Sequence, residues 1–320
     1  MARYHTTAAG NVSIGVNSSK ANTEGANNVA IGKDAFEANT TGDENVAIGF
    51  TALDANTTAD GNTAVGTAAL GANTTGHSNT SVGKASLLTN TTGESSVAIG
   101  YSALNKNTTA GNNVAVGWKA LEANTVGFEN TGLGNQAGDE ITTGDQNTAA
   151  GSNALGKVTT GDGNTGLGRA AGDLTTTGGN NISIGLNSDP TANDVSNQIT
   201  LGNGDNDNLR CADTSISTLS DERDKENIEN IPHGLDYILA IRPVKFDWKT
   251  RDGSREGKKD YGFIAQELAK VEEKFESAEY TRLVHKENPE KWEADVMKTY
   301  PILIKAIQEL KAEIEELKNK

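Results

Sequence analysis

Cysteine, histidine and aromatic residues are scarce in this 320-residue chain, and each shortage removes a class of function. The single cysteine, Cys211, permits no disulfide framework and no paired-cysteine metal site. The four histidines (His5, His77, His233 and His285) are too scattered to form a ligand cluster, so neither metal nor cofactor is expected. No apolar run is long enough to span a bilayer, and no signal-peptide core follows Met1. The expectation is a chain made in a cytosol, soluble there and not inserted in a membrane. Basic residues are outnumbered, 28 against 43, for a net charge of −15. An acidic, repetitive surface argues against nucleic-acid binding, which needs a basic footprint. Residues 1–219 carry net −11 and residues 220–320 net −4, and the shorter second part holds more of the aromatics. Composition therefore changes near residue 220.

What the first part has is glycine at a fixed interval. Gly15, Gly32, Gly49, Gly66, Gly83, Gly100, Gly117, Gly134, Gly151, Gly168, Gly185 and Gly202 follow one another every 17 residues. The residue before each is aliphatic from Ile14 and Ile31 through Ile184 and Leu201, with Ala150 as the break. Four residues past the glycine runs a second apolar column: Phe36, Leu53, Leu70, Leu87, Leu104, Leu121 and Leu155. Helical repeats need about 34 residues. A period half as long, rich in β-branched residues, suits one coil of a β-solenoid. The Asn-Thr-Thr-Gly and Asn-Asn clusters suit tight turns that visit positive φ. Glycine, threonine and asparagine richness also fits a disordered linker, but the unbroken register opposes that. At about 4.8 Å per rung, twelve rungs predict a rod of roughly 55–60 Å.

Such a coil encloses an apolar stripe of Ala, Val, Ile and Leu with few aromatics, and a core this thin is marginal alone. Three chains about one axis are expected, against the simpler monomeric solenoid. The repeats fade after about Asp173, where Gly172, like Gly138 before it, replaces the second-column leucine. The position after the marker glycine varies and carries Phe50, Tyr101 and Trp118. Facing outward, they could stack on sugar rings; facing a neighbouring chain, they would fill gaps.

Beyond the connector, a helix is expected to begin near Ser220, and Ser220 followed by Asp221 and Glu222 suits its N-cap. Thr218 with Asp221 also fits a capping box. A short helix is read at 235–241, strands at 244–248 and 261–264 around a turn at 251–257, and an amphipathic helix at 265–275. From Pro301 a helix runs to the end, with Leu303, Ile307, Leu310, Ile314 and Leu317 stepping as a heptad seam. Its alternation of Ile and Leu leans toward two strands, which conflicts with a trimer; the rod is given precedence.

Ser220-Asp-Glu-Arg-Asp-Lys225-Glu-Asn-Ile228, Ala240-Ile-Arg-Pro-Val-Lys-Phe-Asp-Trp248, Gly262-Phe-Ile-Ala-Gln-Glu267, Tyr300 and Ala306-Ile-Gln-Glu-Leu310 stand in series. In that order they resemble the intramolecular chaperone of phage tail spikes and fibres, the endosialidase-type autoprocessing domain classed as an S74 peptidase. More loosely, the rungs are similar to the head repeats of trimeric adhesins and to phage fibre shafts. The resemblance implies a homotrimer gathered by its C-terminal domain, with Ser220 as nucleophile, Lys225 as its general base and a cut between Leu219 and Ser220. A serine hydroxyl needs a base, and lysine serves only when neutral, a form that burial favours. Asp224 stands where the family often has an apolar residue; a carboxylate against Lys225 would favour its cation and oppose that role. Lys225 reaches back to Ser220 only if the chain bends at the helix start.

The expected architecture is mainly β: an attachment segment at 1–10, a trimeric repeat shaft at 11–185, a last rung and connector at 186–219, and a small α+β chaperone domain at 220–320 ending in a coiled-coil helix. The expected role is a tail fibre or spike subunit of the virion, made in the host cytoplasm and at most a single-turnover autoprotease. Expected partners are a host-surface glycan or protein receptor and, at the N-terminus, another tail protein. With about ten residues before the first rung, the chain reads as a distal subunit or a shortened one. The alternatives are a bacterial trimeric surface adhesin and an ice-binding solenoid presenting threonine ladders.

Overall fold

A computed structural model describes residues 8–206, 220–249, 256–286, 288–289 and 292–320. The chain divides into two compact units, one ending at Asn203 and one beginning at Gly204.

The first unit is a β-solenoid. Twelve three-residue strands, β1 (Val12–Ile14) to β12 (Ile199–Leu201), form one parallel sheet in sequence order. Each residue pairs with the one 17 positions on, as Val46 with Thr63 and Ile48 with Val65. From Gly15 to Gly168 the marker glycine follows its strand at φ between +130° and +142°, the last value at Gly117. A Cβ on Gly117 would lie 2.2 Å from the carbonyl oxygen of Gly134 in the next rung. Glycine is needed there twice over, for its backbone angle and for the close approach of rungs.

The interior differs from the sequence expectation. The aliphatic column before the glycine faces outward: Ile99, Leu133, Leu167 and Leu201 are exposed, and Ile31, Ile48, Val65, Val82 and Val116 are half-buried. A strand alternates, so its middle residue points inward, and there sit Ala30, Ala47, Ala64, Ala98, Ala115 and Ala149, all fully buried. With them in the core lie a second alanine column and Leu53, Leu70, Leu87, Leu104 and Leu121, the second apolar column of the sequence.

Positive φ also falls in unexpected places. Asn27 and Asn112 of the Asn-Asn pairs adopt it, but so do the buried leucines, Leu53 at +52° among them. The glycine of Asn-Thr-Thr-Gly does not need it. At Gly42 a Cβ would meet the Asn39 Oδ1 at 2.6 Å and the Ala59 carbonyl at 2.4 Å, so close packing is the constraint.

Two buried asparagine ladders run along the stack. In one, Asn56 Nδ2 donates to Asn39 Oδ1 at 3.0 Å, and Asn73 to Asn56 at 3.1 Å. In the other, Asn62 N donates to Asn45 Oδ1 at 2.9 Å. The first threonine of each turn donates its hydroxyl to the next rung, as Thr57 Oγ1 does to Thr74 O at 3.1 Å. The second threonine, as at Thr41, Thr58 and Thr75, is the exposed one.

The repeat does not fade in the structure, since β11 (Ile182–Ile184) and β12 keep full register. Its side-chain period instead doubles. Asn130-Thr-Gly-Leu-Gly134-x-x-Ala137-Gly138-Asp139 recurs two rungs later from Asn164 to Asp173. A Cβ on Gly138 would meet Leu121 Cδ2 at 2.9 Å, and one on Gly172 would meet Leu155 Cδ2 at 2.6 Å. Each leucine leans into the space its neighbour vacates.

Half-buried carboxylates give the shaft a pH signature. Burial, together with Glu37 and Asp34, raises the pKa of Asp54; burial, together with Glu140 and Glu122, raises that of Asp139; burial and Asp173 raise that of Asp189. A raised carboxylate contributes stability that is present below its unfolded value and lost as pH rises through the folded one. Asp221 and Glu267 in the second unit are lowered by Arg223 and Arg242, so their contribution is lost as pH falls. Calorimetry of the full chain from pH 7 to pH 2 should show the shaft transition rising as pH falls into the ordinary carboxylate range, and the C-terminal one falling only below that range. A joint fall of both would contradict this assignment.

The second unit is small and α+β. It holds α1 (Leu235–Ala240), the hairpin β13 (Val244–Asp247) and β14 (Lys259–Gly262), α2 (Ala265–Lys274), α3 (Ala278–Thr281), the pair β15 (Val284–His285) and β16 (Glu293–Ala294), and α4 (Thr299–Lys318). Its core gathers Tyr237, Val271, Leu283 and Ile302. Buried Glu272 accepts from Leu283 N at 2.6 Å and Thr281 Oγ1 at 2.7 Å, closing the corner between α2 and β15. α4 begins two residues before Pro301, so the proline lies in its first turn. Glu309 of α4 accepts from Leu235 N at 2.6 Å, satisfying an amide at the start of α1 that no local side chain caps. Ile302 and Ala306 face inward, while Leu303, Ile307, Leu310, Ile314 and Leu317 are exposed. Among the described residues no helix is long and apolar enough to cross a membrane.

Candidate autoprocessing site

Ser220 is the first residue described after 206, and Leu219, the other side of the expected cut, lies outside the described residues, as does Thr218. No long helix forms after Ser220. A single 3₁₀ turn, Glu222–Asp224, is capped by Asp221 rather than Ser220: the Asp221 side chain accepts from Arg223 N at 2.9 Å. The Arg223 guanidinium closes on the same carboxylate through Nη2 at 2.6 Å. With its hydroxyl not used as a cap, Ser220 is free for another partner.

That partner is Lys225. The turn stops at Asp224, and Lys225 is extended at φ −127° and ψ 142°. Ending the helix after one turn supplies the bend that the spacing required. Lys225 Nζ lies 2.7 Å from Ser220 Oγ and 3.4 Å from the Ser220 carbonyl oxygen. Both residues are exposed in the single chain. Asp224 forms no ion pair with Lys225 among the described residues, so its carboxylate does not lock the ammonium by direct contact. A lysine at hydrogen-bond distance from a serine can relay a proton from that hydroxyl once it is neutral.

The other motifs of this region meet as well. Arg242, just after α1, and Glu267, in the first turn of α2, form a bidentate ion pair with Nε–Oε2 at 2.9 Å. Their hydrogen bonds raise the arginine and hold the glutamate below its usual range. Both residues belong to motifs of the sequence, 240–248 and 262–267, that carry no sign of the contact.

On the shaft, Phe50, Tyr101 and Trp118 are exposed at 48%, 45% and 43%. Lys33 Nζ stands 5.5 Å from the Phe50 ring centre and Lys119 Nζ 5.0 Å from that of Trp118. Tyr101 and Trp118 occupy the same position in adjacent rungs, while Phe50 is separated from them by Thr67 and Lys84. Among the described residues no His, Cys, Asp and Glu group has the geometry of a metal site.

Residues 220–278 match the family model of the chaperone of endosialidase, Peptidase S74. The stretch contains Ser220, Lys225, Arg242 and Glu267. No curated protein and no solved structure matches the chain. The C-terminal unit thus contains a match to the chaperone of endosialidase, and a β-solenoid precedes it in the chain.

Proposed function

We propose that this chain is a phage tail fibre or spike subunit whose C-terminal domain gathers three copies, aligns their shafts and then cuts itself free. The observation that carries the reading is one chain joining a chaperone-of-endosialidase domain to a long repeat shaft, each with a regular apolar row left uncovered. The shaft row is the pre-glycine column, and the domain row is the seam of α4. Monomeric proteins rarely expose contiguous apolar patches beyond a few hundred Å². Association of copies covers both rows.

In the cut, neutral Lys225 takes the Ser220 hydroxyl proton as Oγ attacks the Leu219 carbonyl carbon. The tetrahedral intermediate collapses, the C–N bond to Ser220 breaks, and Lys225 returns its proton to the departing nitrogen. An ester between Leu219 and Ser220 Oγ results, which water opens to a carboxylate and the free hydroxyl. Lys225 is exposed in the single chain, and a neighbouring copy that buried it would favour the neutral form. Cleavage would then follow assembly.

Tyr101 and Trp118 are the residues proposed to meet the receptor, a pyranose stacking on rings held one rung apart. Trp118→Ala should weaken binding of the full-length protein to host cells on the order of tenfold, leaving its mass by light scattering unchanged. Loss of the assembled mass would instead place the ring between chains, and unchanged binding would remove Trp118 from the contact.

A further inference from the structure

The asparagine ladder inside the shaft stops at one interface. From Asn39 to Asn124, each amide in this column donates Nδ2 to the Oδ1 of the asparagine one rung before, ending with Asn124 to Asn107 at 3.2 Å. The next rung carries Ile141 in that column. The Asn124 Oδ1 is therefore buried with no hydrogen-bond partner, one of three such side-chain atoms among the described residues. The same interface is where the leucine column is interrupted. Leu121 leans over Gly132 and Gly138, and Ile141 Cδ1 fills the space a Cβ on Gly138 would enter, at 2.9 Å. Like charges also face each other across it. Glu122 lies on one side, Asp139 and Glu140 on the other, and with burial these neighbours push Asp139 upward.

In a solenoid, cooperativity is carried by nearest-neighbour contacts between rungs. The backbone ladder passes the interface intact, with Thr125 N to Thr142 O at 2.9 Å. So does the second asparagine ladder, with Asn147 N to Asn130 Oδ1 at 2.9 Å. What changes is the side-chain coupling: an amide column meets an aliphatic one, and the packing period doubles from one rung to two. We infer that the shaft is two cooperative blocks, joined between the rungs of Asn124 and Ile141, and that this interface is where it first parts under load or denaturant. The first block is held by a continuous amide ladder. In the second, Ile141 and Val158 replace amides by apolar contact.

Hydrogen exchange with mass spectrometry on the full-length protein, at rising guanidinium, reads this directly. Peptides within 28–124 and within 141–200 should lose protection at two distinct midpoints, with the change falling between 124 and 141. One common midpoint, or a change elsewhere, overturns the inference. A chain carrying Gly132→Ala, Gly138→Leu and Ile141→Asn restores the earlier rung type and should move the boundary one rung on, to between 141 and 158. A boundary that stays in place overturns it too. Should that chain fail to fold, Leu70→Gly with Asn73→Ile should create a new boundary between 56 and 73, and its absence counts equally against the two-block shaft.

Discussion

Ser220→Ala should leave the purified protein at its full 33.4 kDa chain mass, where the parent yields a fragment ending at Leu219. The effect is all-or-none because the hydroxyl forms the new bond, and no other hydroxyl is within hydrogen-bond distance of Lys225 Nζ among the described residues. Lys225→Met should give the same result by removing the proton acceptor while keeping a side chain of similar length. Lys225→Arg should do so as well, since a guanidinium stays charged. Mass spectrometry under denaturing conditions separates the outcomes. Full-length chain in the parent as well would remove the autoprotease and leave the chaperone. A cut that persists in Ser220→Ala would assign the chemistry to another group.

Gly117→Ala should be the most damaging single change in the shaft. The new Cβ would sit 2.2 Å from the Gly134 carbonyl oxygen, in a backbone conformation at φ +142° that side chains rarely adopt. Neither rung can yield without breaking strand pairing on both sides, so a loss of about 4 kcal/mol or more is expected. Gly61 is the control. Its φ is +66°, a value that asparagine tolerates, and a Cβ there meets only Ser78 Oγ at 3.8 Å. Gly61→Asn should therefore change stability by less than about 1 kcal/mol. Denaturant unfolding of the two variants in parallel tests the contrast, and equal effects would contradict the close-approach account.

The glycine period made the solenoid legible, because only a stack of equal rungs demands the same residue at the same interval. The leucine column was legible for the same reason. The pre-glycine column was misplaced because its hydrophobicity is that of a core, while alternation along a three-residue strand sends it outward. An aliphatic row that faces solvent in one chain reads, in sequence, like an interior. The small Ala30 and Ala47 that do fill the interior carry a weaker signal than the Ile31 and Ile48 beside them. Gly138 and Gly172 looked like decay of the repeat, because the compensation by Leu121, Ile141 and Leu155 comes from columns that adjoin only once the coil is closed. At the candidate site, the five-residue spacing of Ser220 and Lys225 was visible. That the helix would stop after one turn, with Asp221 rather than Ser220 as its cap, was not. Contacts such as Arg242 with Glu267 and Leu235 with Glu309 join distant segments, and no local pattern announces them.

The account turns on the C-terminal domain as the agent that brings shafts together. A gene ending at Leu219, expressed beside the full-length gene and compared by analytical ultracentrifugation and circular dichroism, tests it most directly. The full-length product should sediment as three chains with a folded β shaft, and the shortened one should yield unfolded or aggregated protein. A soluble, fully folded single chain from the shortened gene would contradict the account.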